Sequence, residues 1–104
     1  MEDVSFWSGN DRQVTKVFKA LSDGTRQQIL HLLEGKQRSV GEIVGQFSLS
    51  QPTISRHLSV LKEADLVVDT RQGQNVIYSL NDDALSTSMQ QFFGRFRGCQ
   101  DALR

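Results

Sequence analysis

Ser50, Gln51, Thr53, Ser55, Arg56 and His57 crowd hydrogen-bonding side chains into one short stretch. Such residue types can read the edges of a nucleic-acid duplex. Glutamine pairs bidentately with adenine, arginine with guanine, and serine or threonine with either. Ser50 and the free N–H groups of a first helical turn can hold a phosphate. His57 can reach a phosphate or simply orient its neighbours. The plainer reading of the same residues is an ordinary solvated face. What decides between them is the scaffold that holds these side chains.

Ile54, Leu58 and Leu61 recur at helical spacing through this stretch and predict one buried side, leaving the polar set on the other. Pro52 falls in the first turn, where its missing N–H costs little. Before it, Val40, Ile43, Val44 and Phe47 follow i, i+3, i+4, i+7, and Ser39 with Glu42 makes a capping box. Ser48-Leu49-Ser50 suits a turn and a fresh N-cap. A helix, a tight turn and a polar-tipped helix is the geometry that enters a DNA major groove.

The remaining chain supplies support. A first helix is predicted over about Asp11 to Leu21, with Val14, Val17, Phe18 and Leu21 apolar. A second runs from about Gly24 to Glu34, capped by Ser22 or Asp23, burying Ile29, Leu30 and Leu33, and stopped by Gly35. Arg26 reads as an internal ion-pair or cap partner. From Leu66 to Leu80 the period becomes two, with Leu66, Val68 and Thr70 on one face and a turn at Gln72-Gly73-Gln74-Asn75. Arg71, Gln72 and Gln74 near that turn are placed to touch a minor groove or the adjacent backbone. Asn81 or Asp82 caps a last helix, to about Arg97, with the stripe Leu85, Met89, Phe92, Phe93 and Phe96. That is too much aromatic surface to leave in water: it closes the core or meets another copy. The fold class is mainly α with a small β-hairpin, a winged helix-turn-helix with four helices, two strands and a fifth helix. Residues 1–10 are an N-terminal arm, 11–98 the domain and 99–104 a tail. Phe6 and Trp7 in the arm are expected to pack on the domain or on a partner subunit.

Three segments resemble the ArsR family of bacterial winged-helix repressors. LSQPTISRHLSVLKEADLV is similar to the family's recognition helix, with the S-x-HL-x-x-L core at Ser55, His57, Leu58 and Leu61. KALSDGTRQQILHLL resembles the LSDPTR-x-x-IL segment, with Gly24 where the family usually has proline. The hairpin ending in VIYSL is the third, and the similarity runs in order from about Val14 to Leu80. The resemblance implies a homodimeric repressor that binds an imperfect palindromic operator on double-stranded DNA and occludes a promoter, its own among the candidates. It implies that first and last helices pair across a two-fold axis, through Val14, Val17, Phe18, Met89, Phe92, Phe93 and Phe96. Cys99 then lies where it can meet its counterpart, although an ordinary thiol near a terminus is the simpler reading.

The family is best known for metal sensing, through a Cys-x-Cys pair on the third helix or Asp and His ligands on the last. Neither pattern stands here, so no metal and no cofactor is expected. The dithiol redox variant is excluded within one chain by the single cysteine. Two alternatives remain: a DNA-binding metal sensor using atypical ligands such as His31, Asp82 or Asp83, and a winged-helix protein-interaction module without DNA binding. The second draws support from a formal net charge of zero, 12 basic residues against 12 acidic. Charge is unevenly placed, however: Arg12 to Arg38 holds six basic and two acidic residues, a net of +4. An enzyme is not expected. Ser59 and Lys62 match S-x-x-K, but inside the recognition helix and with no companion motif. A lone cysteine, no signal peptide and no apolar run of membrane-spanning length point to the cytoplasm and away from a membrane.

Overall fold

In a computed structural model, residues 11–100 are described; the Phe6-Trp7 pair, the rest of the arm and residues 101–104 lie outside the described residues. The chain runs α1 (Asp11–Leu21), α2 (Gly24–Leu33), β1 (Arg38–Ser39), α3 (Val40–Val44), α4 (Gln51–Glu63), β2 (Val67–Gln72), β3 (Asn75–Leu80) and α5 (Asp82–Phe93), then a short 3₁₀ turn at Arg97–Cys99. This is the winged helix-turn-helix order. It has one addition: β1 joins the hairpin, giving a three-stranded antiparallel sheet in the order β1-β3-β2.

The helices start where side chains satisfy otherwise unpaired N–H groups. Asp23 accepts from the Arg26 N–H at 3.1 Å. Ser39 and Glu42 form the reciprocal capping box, and Asn81, rather than Asp82, caps α5. Gly24 occupies the first position of α2. Gly35, just past the end of α2, takes φ +80°, which a residue without Cβ adopts freely. The carbonyls at the end of α1 are satisfied from α2. Arg26 donates from Nε to Ala20 O and from Nη2 to Lys19 O, and Gln27 donates to Leu21 O.

One core joins the elements. Val17, Ala20, Ile29, Leu33, Ile43, Ile54, Leu58, Leu61 and Leu66 are essentially inaccessible. The inner face of α1 therefore centres on Val17 and Ala20. Phe18 and Leu21, expected in the same stripe, are only half-buried. The wing docks through Val67, which is buried, while Val68 stands 48% exposed. This corrects the expected shared face of Leu66 and Val68: Leu66 belongs to the turn before the strand. There its N–H bonds to Leu61 O and that of Asp65 to Lys62 O, a Schellman closure of α4.

Two expected bounds also shift. α3 ends at Val44, with turn hydrogen bonds carrying the chain to Phe47, because Gly45 follows. α5 ends at Phe93 instead of reaching Arg97. Gly94 caps it, and a Cβ there would stand 2.8 Å from the Gln90 carbonyl oxygen.

Asp65 is the non-glycine residue with positive φ among the described residues, at +61°. A side chain in the left-handed region costs roughly 1 kcal/mol or more relative to glycine. Asp65→Gly should therefore raise stability by about 0.5–1 kcal/mol and Tm by a few degrees. Thermal unfolding followed by circular dichroism checks this; a lower Tm would show that the Asp65 side chain contributes more than its backbone strain costs.

Candidate nucleic-acid interface

Helix α4 is held by its inner stripe and by both ends. Ile54, Leu58 and Leu61 are at most 1% exposed. Ser50 caps its start: the hydroxyl accepts from the Thr53 N–H and donates to Thr53 Oγ1 at 3.0 Å. At its far end the Ala64 carbonyl accepts from Gln13 Nε2 of α1 at 2.7 Å. Lys62 bonds Asp69 of β2 at 2.9 Å, tying helix to wing. That contact raises the Lys62 pKa from its ordinary value, first through the hydrogen bond and then through the carboxylate's charge. Nothing in the sequence pattern announces the Gln13 or Lys62 contacts, since each joins residues on separate elements.

Rigid support fixes the opposite face. Gln51, Ser55 and Arg56 are exposed, and Thr53 is half-buried through its bond to Ser50. Arg71, Gln72 and Gln74 are exposed at the tip of the wing. Gly73 takes φ +63° there, in a two-residue turn closed by the Gln72–Asn75 pair. Helix face and wing tip thus form two polar prominences on one framework.

His57 departs from the outward set. Its side chain is only 18% exposed and lies 3.9 Å from Asp23 Oδ2. Its Nδ1 is 3.2 Å from Arg26 Nη1. The ring is thus turned toward the start of α2. Arg26, read as an internal partner, is one: its guanidinium serves the end of α1 and His57 together. The one sequence signal for this junction is the cap pair Asp23 and Arg26 at i, i+3.

Beyond this surface, Phe92 packs on Phe18 of α1 with ring centres 4.7 Å apart, and on Phe93 and Phe96 at 5.7 and 5.3 Å. Phe96 is 47% exposed, and Phe92, Phe93, Phe18 and Met89 are half-buried. Val14 and Val17, expected in the same subunit contact, are already buried within a single chain. Arg95 ion-pairs with Asp11 and lies over the Phe92 ring. Cys99 is a half-buried free thiol. His31 faces Glu34 at 3.8 Å on the exposed side of α2, and Asp82 and Asp83 open α5. Among the described residues no helix is long and apolar enough to cross a membrane.

Comparison with known proteins bears on this arrangement. A sequence profile described as bacterial regulatory protein, arsR family, matches residues 23–68, the span from the α2 cap to the first strand of the wing. The transcriptional repressor SdpR of Bacillus subtilis is 46% identical over 76 residues, which are 73% of this chain and 84% of that protein. The chain belongs to the ArsR family. It is a winged helix-turn-helix transcriptional regulator. An ArsR-like transcriptional regulator from Rhodococcus sp. RHA1 superposes with TM-score 0.78 at 26% identity, covering 91% of this chain and 89% of that one. The homodimeric winged helix-turn-helix DNA-binding domain Mb0332 of Mycobacterium bovis superposes with TM-score 0.68 at 31% identity, covering 88% and 91%. In this ArsR-family chain the matched span contains α4 and its caps but stops short of the aromatic face on α5.

The cap at Asp23 makes stability depend on acid. Its carboxyl is held below the ordinary aspartate range, first by the Arg26 N–H and then, against partial burial, by His57 when protonated and by Arg26. A carboxyl depressed in the folded state contributes stability above its unfolded pKa near ~4 and loses it as pH falls through the folded value. Glu42 behaves alike, held down first by the Ser39 N–H. Asp23→Asn keeps a capping oxygen without the titration. Its Tm should fall less steeply than the parent's between about pH 5 and pH 2; identical acid limbs would show that the charge on Asp23 adds nothing.

Proposed function

We propose that this protein is a homodimeric, non-enzymatic repressor in the cytoplasm that sets α4 of each subunit into one of two successive major grooves of an imperfect palindromic operator. The observation that carries this reading is the locked orientation of α4. Its buried stripe leaves Gln51, Ser55 and Arg56 exposed on the side away from the core. Arg56 is suited to guanine, Gln51 to adenine, and Ser55 to either. Ser50 and Thr53 sit at the end of the helix nearest a phosphate, and Arg71, Gln72 and Gln74 of the wing extend the contact to the neighbouring backbone or minor groove. Repression then follows from covering a promoter.

Dimerisation is supported by the aromatic face of Phe18, Met89, Phe92, Phe93 and Phe96. A homodimeric relative shares the fold across most of both chains. Val14 and Val17 support that face from beneath. A two-fold dimer places the two reading helices about 34–36 Å apart, one turn of duplex. The neutral total charge does not oppose this, because affinity depends on the charge facing the phosphates.

Fluorescence anisotropy with the gene's own upstream DNA, measured across a salt series, tests the proposal. At physiological salt the upstream duplex should bind ~10³-fold or more tighter than a random duplex. Equal affinity for the two would defeat it. Arg56→Ala should weaken specific binding by about 1–3 kcal/mol and relax the base preference at one position per half-site.

A further inference from the structure

The junction of Asp23, Arg26 and His57 holds the ring of a side chain on α4 in one orientation. An arginine guanidinium can only donate hydrogen bonds. Arg26 Nη1 lies 3.2 Å from His57 Nδ1, a contact that is a hydrogen bond when Nδ1 accepts and the ring carries its N–H on Nε2. The guanidinium cannot swing away freely, because Nε and Nη2 are engaged by Ala20 O at 2.8 Å and Lys19 O at 3.1 Å. Asp23 Oδ2, 3.9 Å from Nδ1, lies on the same side of the ring. The other nitrogen, Nε2, has no hydrogen-bond partner among the described residues, and none of their fully buried side-chain N or O atoms lacks one. Nε2 therefore keeps some contact with solvent.

His57 sits one residue from Leu58, which is buried, and one from Arg56, which is exposed. Successive residues turn by ~100° around a helix, so His57 lies on the flank of α4. A helix in a major groove presents its outermost residues to bases and its flanks to the strands that wall the groove.

Resting on the DNA-binding reading, we propose that His57 donates an Nε2–H hydrogen bond to a DNA phosphate oxygen, and that Arg26 is a positioning residue that acts through His57 without touching DNA. The ring contributes aim rather than charge. A neutral donor releases no counterion, so it strengthens binding without steepening the dependence on salt. Arg26, occupied by two carbonyls and the ring, adds no phosphate contact either.

The experiment has two parts. Long-range 1H–15N correlation spectra of the free, full-length protein at neutral pH report which ring nitrogen of His57 carries the proton. Nε2–H is expected, and Nδ1–H would overturn the proposal. Affinity is then measured across a salt series with the duplex that the protein selects most strongly from a random-sequence pool. His57→Phe should weaken binding on the order of tenfold with the slope against log salt unchanged. His57→Gln, which carries an amide donor, should recover part of the loss. Arg26→Met should weaken binding similarly, again at constant slope. A slope shallower by about 0.9 for Arg26→Met would show that Arg26 itself meets a phosphate and would overturn the positioning role. Wild-type affinity in His57→Phe would overturn the contact. Arg26 also closes α1, so Arg26→Met can fail to fold; the wild-type spectrum and the two His57 variants decide the contact without it. If the wild-type protein selects no duplex, the DNA-binding reading fails instead, whatever the tautomer.

Discussion

The fixed rotation of α4 about its own axis governs everything on its polar side. Ile54, Leu58 and Leu61 are all but completely removed from water. A slip of the helix by one residue, ~100° of turn, would put Ser55, Ser59 and Lys62 into the core and bring three large aliphatic groups out. Exposing a buried leucine or isoleucine costs roughly 1.5–3 kcal/mol each, and burying a serine or lysine without partners adds to that. Domains of this size are stable by only about 5–15 kcal/mol, so no alternative rotation is populated. Gln51, Ser55 and Arg56 keep their aim because their neighbours have nowhere else to go.

Position along the axis is set by different means. Ser50 and the start of the helix form one end. At the other, Gln13 holds the Ala64 carbonyl and the Schellman turn through Asp65 and Leu66 redirects the chain into the wing. Asn81 then binds back to this turn, its side chain donating to Asp65 O at 3.0 Å and its N–H to Leu66 O at 2.9 Å. The same asparagine caps α5. A single residue thus joins the end of α4, the base of the wing and the start of the aromatic helix.

What the sequence disclosed follows from which interactions are local. The stripe of α4, the capping box at Ser39, the N-cap of α4 at Ser50 and the glycine stop at Gly35 involve residues within four positions of each other, and periodicity and cap chemistry reveal such features directly. Strand β1 was invisible because two residues, Arg38 and Ser39, carry no alternation; its existence depends on Tyr78 and Ile77, far along the chain. The left-handed turn at Asp65 was hidden because aspartate stands where glycine would have signalled it. The early end of α5 is not legible in the stripe because the aromatic spacing continues through Phe96, whereas the helix itself ends at Gly94. His57 shows the limit at the site. Its place in the polar cluster implied an outward side chain, but residues Asp23 and Arg26 of α2 draw the ring in.

Helix α1 explains why the polar face of α4 and the aromatic face of α5 belong to one mechanical unit. Its Gln13 bonds the end of α4, its terminal carbonyls hold the Arg26 guanidinium that meets His57, and its Phe18 packs edge-on against Phe92. Val14, Val17 and Ala20 are buried beneath these contacts. A side-chain bond made on one face of α1 and a ring contact made on another are then separated by a single stiff element, with no loop between them to absorb a displacement. Two chains joined through their aromatic faces would carry their α4 helices at a spacing set by packed side chains and helix geometry. Val14 and Val17, buried within the single chain, anchor α1 to its own domain, so the aromatic side chains beside them are presented from a fixed base.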